Sequence, residues 1–306
     1  MARAASSRLF CFGLGYSARA LCRALAGDGF GLAGTTRSGR DEAASTDPEI
    51  DVFAFDGNAP LAPEALRGTT HLLVSIPPDG GGDIVLRHHR DDLASALAGD
   101  PPLRWIGYLS TTGVYGDRGG AWVDEASALA PSSDRSRRRA VAERQWLDAW
   151  RETGLPVHVF RLAGIYGPGH SALDQLRAGT AKRIIAPGHL FSRIHVADIV
   201  AVLRASMAAP NPGAVYNVCD DEPAEPAAVI EFAAGLLGLP PPPAERLADA
   251  TLSEMAKSFW ADDRRVRNAR IKDELGVRLL YPDYRAGLTA IAAAEGLIAP
   301  PLGPSR

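Results

Sequence analysis

The sequence has too few cysteines, too widely spaced, to build a disulfide framework. Only three are present, Cys11, Cys22 and Cys219, and no two of them form a C-x-x-C pair. An odd number of separated cysteines is typical of a reducing compartment. The chain also lacks any stretch of about 18 consecutive apolar residues, the length that a membrane-spanning helix needs. These absences predict a cytoplasmic protein that does not enter a membrane.

A strong net charge and a metal-ligand spacing are absent as well. The 33 lysines and arginines are balanced by 36 aspartates and glutamates, so the formal net charge is −3. A nucleic-acid-binding protein usually carries a basic field, and this composition does not supply one. The seven histidines show no metal-ligand spacing with acids or cysteines. We therefore expect neither nucleic acid nor a metal ion among the ligands.

Short apolar runs alternate with longer amphipathic segments through the first half of the chain. Runs at 9–12, 71–76 and 104–110 have the length of buried strands, and segments 86–98 and 137–151 have the pattern of helices. This alternation predicts an α/β fold, a Rossmann-type doubly wound parallel sheet covered by helices on both faces.

The alternation weakens after residue 162, and this change suggests a domain organisation. We predict a Rossmann domain that binds NAD(P) over residues 1–162, with its sheet completed by about residues 190–220. Residues 163–306 are then mainly a smaller C-terminal lobe that binds the substrate.

A glycine-rich turn joins the first predicted strand to the first predicted helix. Gly13, Gly15 and Ala18 form the pattern G-x-G-x-x-A. The first glycine permits a tight turn, the second lets the backbone approach a pyrophosphate, and the small third residue packs the helix on the strand. The N–H groups of the first helical turn, including those of Tyr16 and Ser17, favour an anion. The turn therefore predicts dinucleotide binding, with an ordinary tight turn as the alternative.

The residues after the second predicted strand indicate which dinucleotide binds. An NAD-binding domain usually has an acid here that holds the ribose 2′-hydroxyl, whereas this chain has Thr36, Arg37 and Ser38 and no acid before position 41. The planar guanidinium of Arg37 matches a 2′-phosphate, so we predict NADP(H). A solvated loop arginine is the alternative. Asp56 and Ser75, near the ends of the next two predicted strands, are further candidate cofactor contacts.

Five segments in chain order share the motifs of one enzyme family. They are 110–116 (STTGVYG), 161–168 (RLAGIYGP), 193–198 (RIHVAD), 216–218 (YNV) and 275–288 (LGVRLLYPDYRAGL). Together with the glycine turn they are spread over nearly the whole length of the chain. The chain resembles the extended short-chain dehydrogenase/reductases of the NAD-dependent epimerase/dehydratase-like group, and specifically their atypical members with a degenerate active site.

The resemblance implies a catalytic Ser or Thr and a Tyr-x-x-x-Lys pair on the helix that follows. The Ser/Thr position is Thr111. Counting back from Glu143, which resembles the family's downstream acid, places the tyrosine at Arg135 and the lysine at Arg139. Arginine stays protonated because its pKa lies above about 12, so Arg135 cannot act as an acid or a base. Arg139 can still hydrogen-bond the nicotinamide ribose, as the family's lysine does; a solvated helix face is the alternative for both.

Other residues are candidates for the tasks that remain. Tyr115, Tyr166 and His195 are possible proton-transfer groups, each with a purely structural role as the alternative. Arg183 and Arg193 are candidate contacts for an anionic substrate, with solvated cations as the alternative. The substrate residues are therefore expected to be Tyr166, Arg183, Arg193 and His195.

The resemblance implies two positions that bind nucleotide sugars in the family, and both are altered in this chain. Gly164 stands at the position that resembles the family's substrate-side Asn, and Phe191 stands at the one that resembles its diphosphate-binding Arg. We therefore expect an NADP(H)-dependent oxidoreductase or epimerase-like enzyme that acts on a small polar substrate. A catalytically inactive NADP(H)-binding sensor or regulatory protein is one alternative, and an NAD-dependent sugar-nucleotide epimerase or dehydratase is another. Segments 89–98 and 137–150 resemble the helices through which such families dimerise, so we also expect a homodimer.

Overall fold

The structure is a computed structural model that describes residues 7–40 and 48–299. The strands within this part of the chain are β1 Arg8–Phe12, β2 Gly31–Thr36, β3 Asp51–Ala54, β4 His71–Val74, β5 Trp105–Thr111, β6 Trp122–Val123, β7 Val157–Leu162, β8 Gly164–Tyr166, β9 Arg183–Ile185, β10 Arg193–His195, β11 Val215–Val218, β12 Ala244–Arg246 and β13 Arg265–Val266. The α-helices are α1 Tyr16–Leu25, α2 Pro63–Leu66, α3 Ile84–Ala96, α4 Asp134–Thr153, α5 Ala172–Arg177, α6 Val196–Ala208, α7 Pro226–Leu236, α8 Glu254–Trp260, α9 Ala269–Asp273 and α10 Tyr284–Ala294.

Seven strands form one parallel sheet in the order β11-β7-β5-β4-β1-β2-β3. Phe10 in the middle of β1 lies opposite Ala33 of β2 on one side and Leu72 of β4 on the other. The chain therefore winds outward from β1 through β2 and β3, and then returns to build the other half from β4. The predicted α/β fold with a Rossmann-type doubly wound sheet is confirmed.

The reversal of winding direction places a topological switch point between β1 and β4. Ligands of open α/β sheets bind outside the carboxyl ends of the strands at such a point. The residues that follow β1, β2, β4 and β5 all leave the sheet at this edge, because the strands that precede them are parallel. The edge therefore carries the glycine turn, the Arg37 loop, Ser75 and Thr111.

A continuous apolar core holds this edge in place. Phe10, Phe12, Leu72 and Tyr108 of the sheet and Trp146 of α4 are all 0% exposed. Burying a large apolar side chain of this kind contributes about 1.5–3 kcal/mol. The strands whose ends carry these loops are thus held in place by buried apolar packing.

The described chain divides into two compact units. Unit 1 comprises the chain up to Val114, Asp134–Arg161 and Val200–Tyr216. Unit 2 comprises Tyr115–Ser133, Leu162–Ile199 and the chain from Asn217 onward. Unit 2 has a core of its own and contains three short parallel strand pairs, β8 with β10, β9 with β12 and β6 with β13. That unit 2 binds the substrate stays a prediction.

Two further properties concern only the described residues. None of their helices is both long enough and apolar enough to cross a bilayer. Their histidine, cysteine and acidic side chains do not gather into a group of three or more that would hold a metal ion.

Candidate functional site

The turn between β1 and α1 is shaped by one glycine in the left-handed region. Gly13 has φ +94°, and a Cβ added there would lie 2.7 Å from Ile76 Cγ2 and 2.8 Å from Ser75 Oγ. The Ser75 hydroxyl donates a hydrogen bond to Gly13 O at 2.6 Å. Ser75, predicted as a cofactor contact, thus supports the turn from the end of β4, and only glycine fits at position 13.

Gly15 differs from Gly13, because a Cβ at this position would meet no atom within 4 Å. Gly15 is the N-cap of α1, with extended φ and ψ angles of −86° and −173°, and no side chain caps the helix. The first turn of α1 therefore exposes uncapped N–H groups beside open space, as binding of a pyrophosphate requires.

The first residues of α1 split between the core and the surface. Ala18 is 0% exposed and packs the helix on the sheet, Ser17 is also buried, and Tyr16 is 37% exposed beside the open space. The small residue that the motif predicts at position 18 thus allows α1 to lie close to β1, which keeps the helix N-terminus at the strand end.

The end of β2 is tied to the glycine turn by a residue that sequence reasoning missed. The buried Thr35 accepts a hydrogen bond from Gly13 N–H through Oγ1 at 2.9 Å, and its carbonyl accepts one from Leu14 N–H at 2.9 Å. This pairing joins residues 22 positions apart. A threonine at the end of a strand beside a glycine turn is the sequence signal, but it does not reveal the partner.

Of the three residues predicted to select the dinucleotide, Thr36 ends β2, and Arg37 and Ser38 follow it. Arg37 and Ser38 are exposed, and Arg37 forms no ion pair with any other described residue. The Thr36 hydroxyl donates to Arg40 O at 3.0 Å, which closes the loop. Asp56 is exposed, and hydrogen bonds from Asn58 lower the pKa of its carboxyl group.

The predicted catalytic positions of unit 1 meet where β5 ends and α4 begins. Thr111 is half-buried, and its Oγ1 accepts a hydrogen bond from Gly113 N–H at 3.1 Å. A Cβ on Gly113 would lie 2.8 Å from Ser136 Oγ, so the first turn of α4 approaches this loop closely. The site therefore contains the Ser/Thr position and the first helical turn that carries Arg135.

The two arginines of α4 lie in different environments. The Arg139 guanidinium donates a hydrogen bond to the Leu109 carbonyl of β5 and is half-buried. Arg135 is exposed one helical turn earlier, and burial of part of its side chain and the positive charge of Arg139 lower its pKa from the usual value. Arg139 is thus anchored to the sheet, whereas Arg135 presents its charge at the surface of the helix.

A buried ion pair lies directly beneath these residues. Glu143, 1% exposed, accepts hydrogen bonds from Arg161 Nε at 3.0 and 3.2 Å and from the Ser110 hydroxyl at 2.9 Å. It joins α4, four residues after Arg139, to β7 and to Ser110, the β5 residue that precedes Thr111. The sequence offered Glu143 and Arg161 only as motif markers, since nothing local indicates that they touch.

In unit 2, the hydroxyl of Tyr115 is already engaged. Tyr115 is 0% exposed and donates to Asn217 Oδ1 at 2.7 Å. The backbone N–H of Asn217 donates to Glu125 Oε1 at 2.7 Å, so the pair belongs to a larger hydrogen-bond network. This arrangement places Tyr115 in the framework of unit 2.

Tyr166 and His195 face each other across the β8–β10 pair, where they are register partners. Their rings meet edge to face at 5.2 Å between centroids, and the ring of Tyr281 packs against the same imidazole at 4.2 Å. Burial lowers the pKa of His195 to about 4. Burial, with the negative charges of nearby carboxylates, raises the pKa of Tyr166 well above its usual range.

The two predicted substrate arginines differ in their partners. Arg183 forms an ion pair with Glu231, Nε to Oε1 2.6 Å, on the surface of unit 2. Arg193 donates instead to the carbonyls of Phe191 and Ala224 at 2.8 and 2.9 Å. Phe191 itself packs against the rings of His189 and Trp260, both at 5.0 Å.

No protein-family model matches the sequence. Protein YeeZ of Escherichia coli K12 is 30% identical over 288 residues, which cover 89% of this chain and 95% of YeeZ. A solved structure described as a functionally unknown conserved protein from Silicibacter pomeroyi is 51% identical, with a TM-score of 0.84 and coverage of 95% of this chain and 99% of that one.

More distant solved structures share the fold. The dTDP-glucose 4,6-dehydratase of Bacillus anthracis in complex with NAD is 19% identical with a TM-score of 0.71, over 92% of this chain and 94% of that one. The UDP-glucuronic acid 4-epimerase of Bacillus cereus in complex with NAD is 15% identical with a TM-score of 0.73, over 95% of this chain and 99% of that one. The predicted resemblance to extended short-chain dehydrogenase/reductases is confirmed in the fold. The chain has this fold and belongs to the same family as protein YeeZ of Escherichia coli.

Proposed function

We propose that the protein binds NADP(H) at the carboxyl edge of its sheet and uses it as an oxidoreductase or epimerase-like enzyme on a small polar substrate. The single observation on which the cofactor proposal rests is the open space beside Gly15, at an uncapped helix N-terminus that follows the first strand. Two relatives of the same fold are described as complexes with NAD, which supports a nicotinamide dinucleotide here.

Arg37 supports the phosphorylated form of the cofactor. It is exposed at the end of β2 and has no carboxylate partner among the described residues, so its charge is available to a ligand. A charge-assisted hydrogen bond contributes about 1.5–3 kcal/mol, which is roughly a ten- to hundredfold preference in affinity. Residues Thr35–Ser38 include no aspartate or glutamate of the kind that holds the ribose 2′-hydroxyl in NAD-binding domains.

Reversing the charge at Arg37 tests the preference for NADP(H). We expect Arg37→Asp to weaken NADPH binding by roughly ten- to hundredfold, with little change for NADH, because the lost contact is to the 2′-phosphate alone. Titration calorimetry with both nucleotides measures the two affinities. Arg67→Asp, at an exposed arginine of the same unit, is the matched control. Equal losses for NADPH and NADH at Arg37 would contradict the assignment.

The residues around the bound nicotinamide have separable tasks in this proposal. The cofactor supplies hydride transfer. Thr111 orients the substrate oxygen from the end of β5, and Arg139, held by the Leu109 carbonyl, donates to the ribose. Arg135 adds positive charge, which stabilises an oxyanion but does not supply a transferable proton near neutral pH.

The missing proton donor supports the second candidate function, an NADP(H)-binding sensor or regulatory protein without turnover. Tyr115 donates its hydroxyl to Asn217, the pKa of Tyr166 is raised far from neutrality, and the pKa of His195 is lowered to about 4. None of the three is poised to exchange a proton near pH 7. Measurement of NADPH oxidation with a panel of small carbonyl compounds separates the two candidates.

Introducing a tyrosine at position 135 tests the role of the altered helix. General acid catalysis typically contributes about 10²- to 10⁴-fold in rate. We expect Arg135→Tyr to increase NADPH oxidation with a responsive carbonyl compound by a factor in this range. Arg138→Tyr, at an exposed neighbour on the same helix, is the control and is expected to change nothing. An unchanged rate in Arg135→Tyr with intact NADPH binding would show that loss of the tyrosine does not limit the reaction.

A sugar-nucleotide substrate has less support. Phe191, at the position that resembles the family's diphosphate-binding arginine, lies in an aromatic cluster with His189 and Trp260. An apolar cluster of this kind does not offer the charge-assisted bonds that a diphosphate needs.

A further inference from the structure

Buried polar side chains without a partner are rare in folded proteins, and each one needs an explanation. In unit 2, both carboxyl oxygens of Asp220 and the Nε2 atom of His195 are buried and have no hydrogen-bond partner. Asp220 is 2% exposed and His195 is 4% exposed. The two residues are connected through Arg193, which shares β10 with His195 and accepts the Asp220 N–H at its carbonyl at 2.7 Å.

Arg193 combines a fixed position with an uncompensated charge. Its guanidinium donates through Nη1 to the carbonyls of Phe191 and Ala224, which hold it in place. Among the described residues, no carboxylate lies within ion-pair distance of it, in contrast to Arg183 and its partner Glu231. A half-buried arginine that is positioned by carbonyls, with no acid against it, is suited to receive an anion.

The strand register leaves room beside this arginine. Arg193 lies opposite Gly164 in the β8–β10 pair, and His195 lies opposite Tyr166. Residues 164, 166, 193 and 195 therefore share one face of the pair. Gly164 is exposed, and a Cβ there would meet only Ser192 O at 3.4 Å and Arg193 Cγ at 3.9 Å. The face thus has an open position beside the Arg193 side chain, and we call these four residues the Arg193 face.

His195 and Asp220 both offer hydrogen-bond donors, and neither adds a negative charge near Arg193. His195 Nδ1 accepts a hydrogen bond from Ala197 N–H at 3.1 Å, so the proton of the neutral ring is on Nε2, the atom without a partner. Burial raises the pKa of Asp220 to about 8, although Arg193 opposes the shift and Asp221 adds to it. At pH 7 the Asp220 side chain is therefore protonated in most molecules, as a neutral acid with one O–H donor.

We propose that the Arg193 face binds the carboxylate of a small organic acid. A monoanion fits the single uncompensated charge of Arg193. The two oxygens of a carboxylate also provide acceptors for the His195 Nε2–H and the Asp220 O–H, which have no partner. A dianion such as sulfate would need a second cation, which the described side chains of this face do not supply. If the proposed function holds, on which this step rests, the substrate of the enzyme carries that carboxylate.

Binding of simple carboxylates by the full chain, without nucleotide, tests the inference. At pH 6.5 and constant ionic strength, we expect acetate and pyruvate to raise the midpoint of thermal unfolding in a saturable manner. Acetamide, a neutral analogue of acetate, and inorganic sulfate, a dianion at this pH, are expected to cause no saturable rise. No effect of either carboxylate, or an equal saturable effect of sulfate, would overturn the inference.

Two variants localise the binding. Gly164→Val places a side chain at the open position, and its Cβ would lie no closer than 3.4 Å to another atom, so we expect an unchanged fold and at least about a tenfold loss of carboxylate affinity. Arg193→Gln removes the charge and is expected to lose as much. Arg246→Gln, at an exposed arginine of β12, is the control. Unchanged affinity in a folded Gly164→Val protein would place the ligand elsewhere and overturn the assignment.

The pH dependence gives an independent check. As the pH rises through about 8, Asp220 ionises and places a negative charge beside the carboxylate, so affinity is expected to fall. Asp220→Asn keeps a donor without a titrating group and is expected to abolish this fall. Arg193 and Asp221 are the charged groups that act on Asp220, and burial raises the pKa of Tyr166 and Cys219, so neither titrates in this range.

The two proposals fail separately. A protein that binds NADPH but no carboxylate contradicts the Arg193 face alone, whereas a protein that binds acetate but not NADPH contradicts the proposed function alone. Arg37→Asp, with its altered nucleotide site in unit 1, is expected to bind acetate as the wild-type protein does.

Discussion

Replacing Gly15 with alanine is expected to weaken binding of both NADPH and NADH by at least about tenfold while leaving the fold intact. The backbone angles of Gly15, φ −86° and ψ −173°, are open to alanine, and its Cβ would meet no protein atom within 4 Å. The added methyl group would instead occupy the space into which the pyrophosphate must come close to the backbone. Calorimetric titration measures the affinities, and the thermal midpoint reports the fold.

A control for this substitution exists at the other end of the same helix. Gly27 lies in the short 3₁₀ turn that follows α1, and a Cβ there would also meet nothing within 4 Å. Gly27→Ala is expected to leave both nucleotide affinities unchanged. Gly13→Ala would not serve, because its positive φ and the close Ile76 and Ser75 atoms would disturb the turn itself. Intact binding in Gly15→Ala would move the pyrophosphate away from α1 and remove the basis of the cofactor proposal.

The glycine turn was predictable because its chemistry is local. The G-x-G-x-x-A spacing, an apolar strand before it and an amphipathic helix after it all lie within residues 9–26, and each one restricts the others. The alternation of strands and helices fixed the fold class in the same way. The loop after β2 was accessible too, since the presence of Arg37 and the absence of an acid are read directly from consecutive residues.

Contacts between distant residues were not accessible. Three features depend on which strands become neighbours. They are the hydrogen bond of the Thr35 hydroxyl to Gly13, the bonds of the Glu143 carboxylate to Ser110 and Arg161, and the unpartnered carboxyl group of Asp220. Periodicity reports whether a residue faces the core, but not which residue meets it there. Acids such as Glu143 and Asp220 also look like surface residues in a sequence, because the burial of a charge is exceptional.

Removing the charge of Glu143 is expected to have the largest effect on stability. Glu143→Gln leaves the Arg161 guanidinium buried without a counter-charge, since Glu143 and Arg161 are 2% and 6% exposed in their side chains. Breaking a buried ion pair by removing one partner typically destabilises a protein by about 3–5 kcal/mol. Urea unfolding followed by tryptophan fluorescence, to which the buried Trp105 and Trp146 of unit 1 contribute, measures the change.

The same helix provides the matched control. Glu152 of α4 pairs with Arg90 of α3 at the surface, where the side chains are 61% and 42% exposed. Exposed ion pairs contribute at most about 1 kcal/mol, because solvent and salt screen them. Glu152→Gln is therefore expected to change the free energy of unfolding by less than that. If both substitutions destabilised equally, the Glu143–Arg161 pair would not be the buried connection between α4 and β7, and the anchoring of Arg139 and Thr111 above it would need another cause.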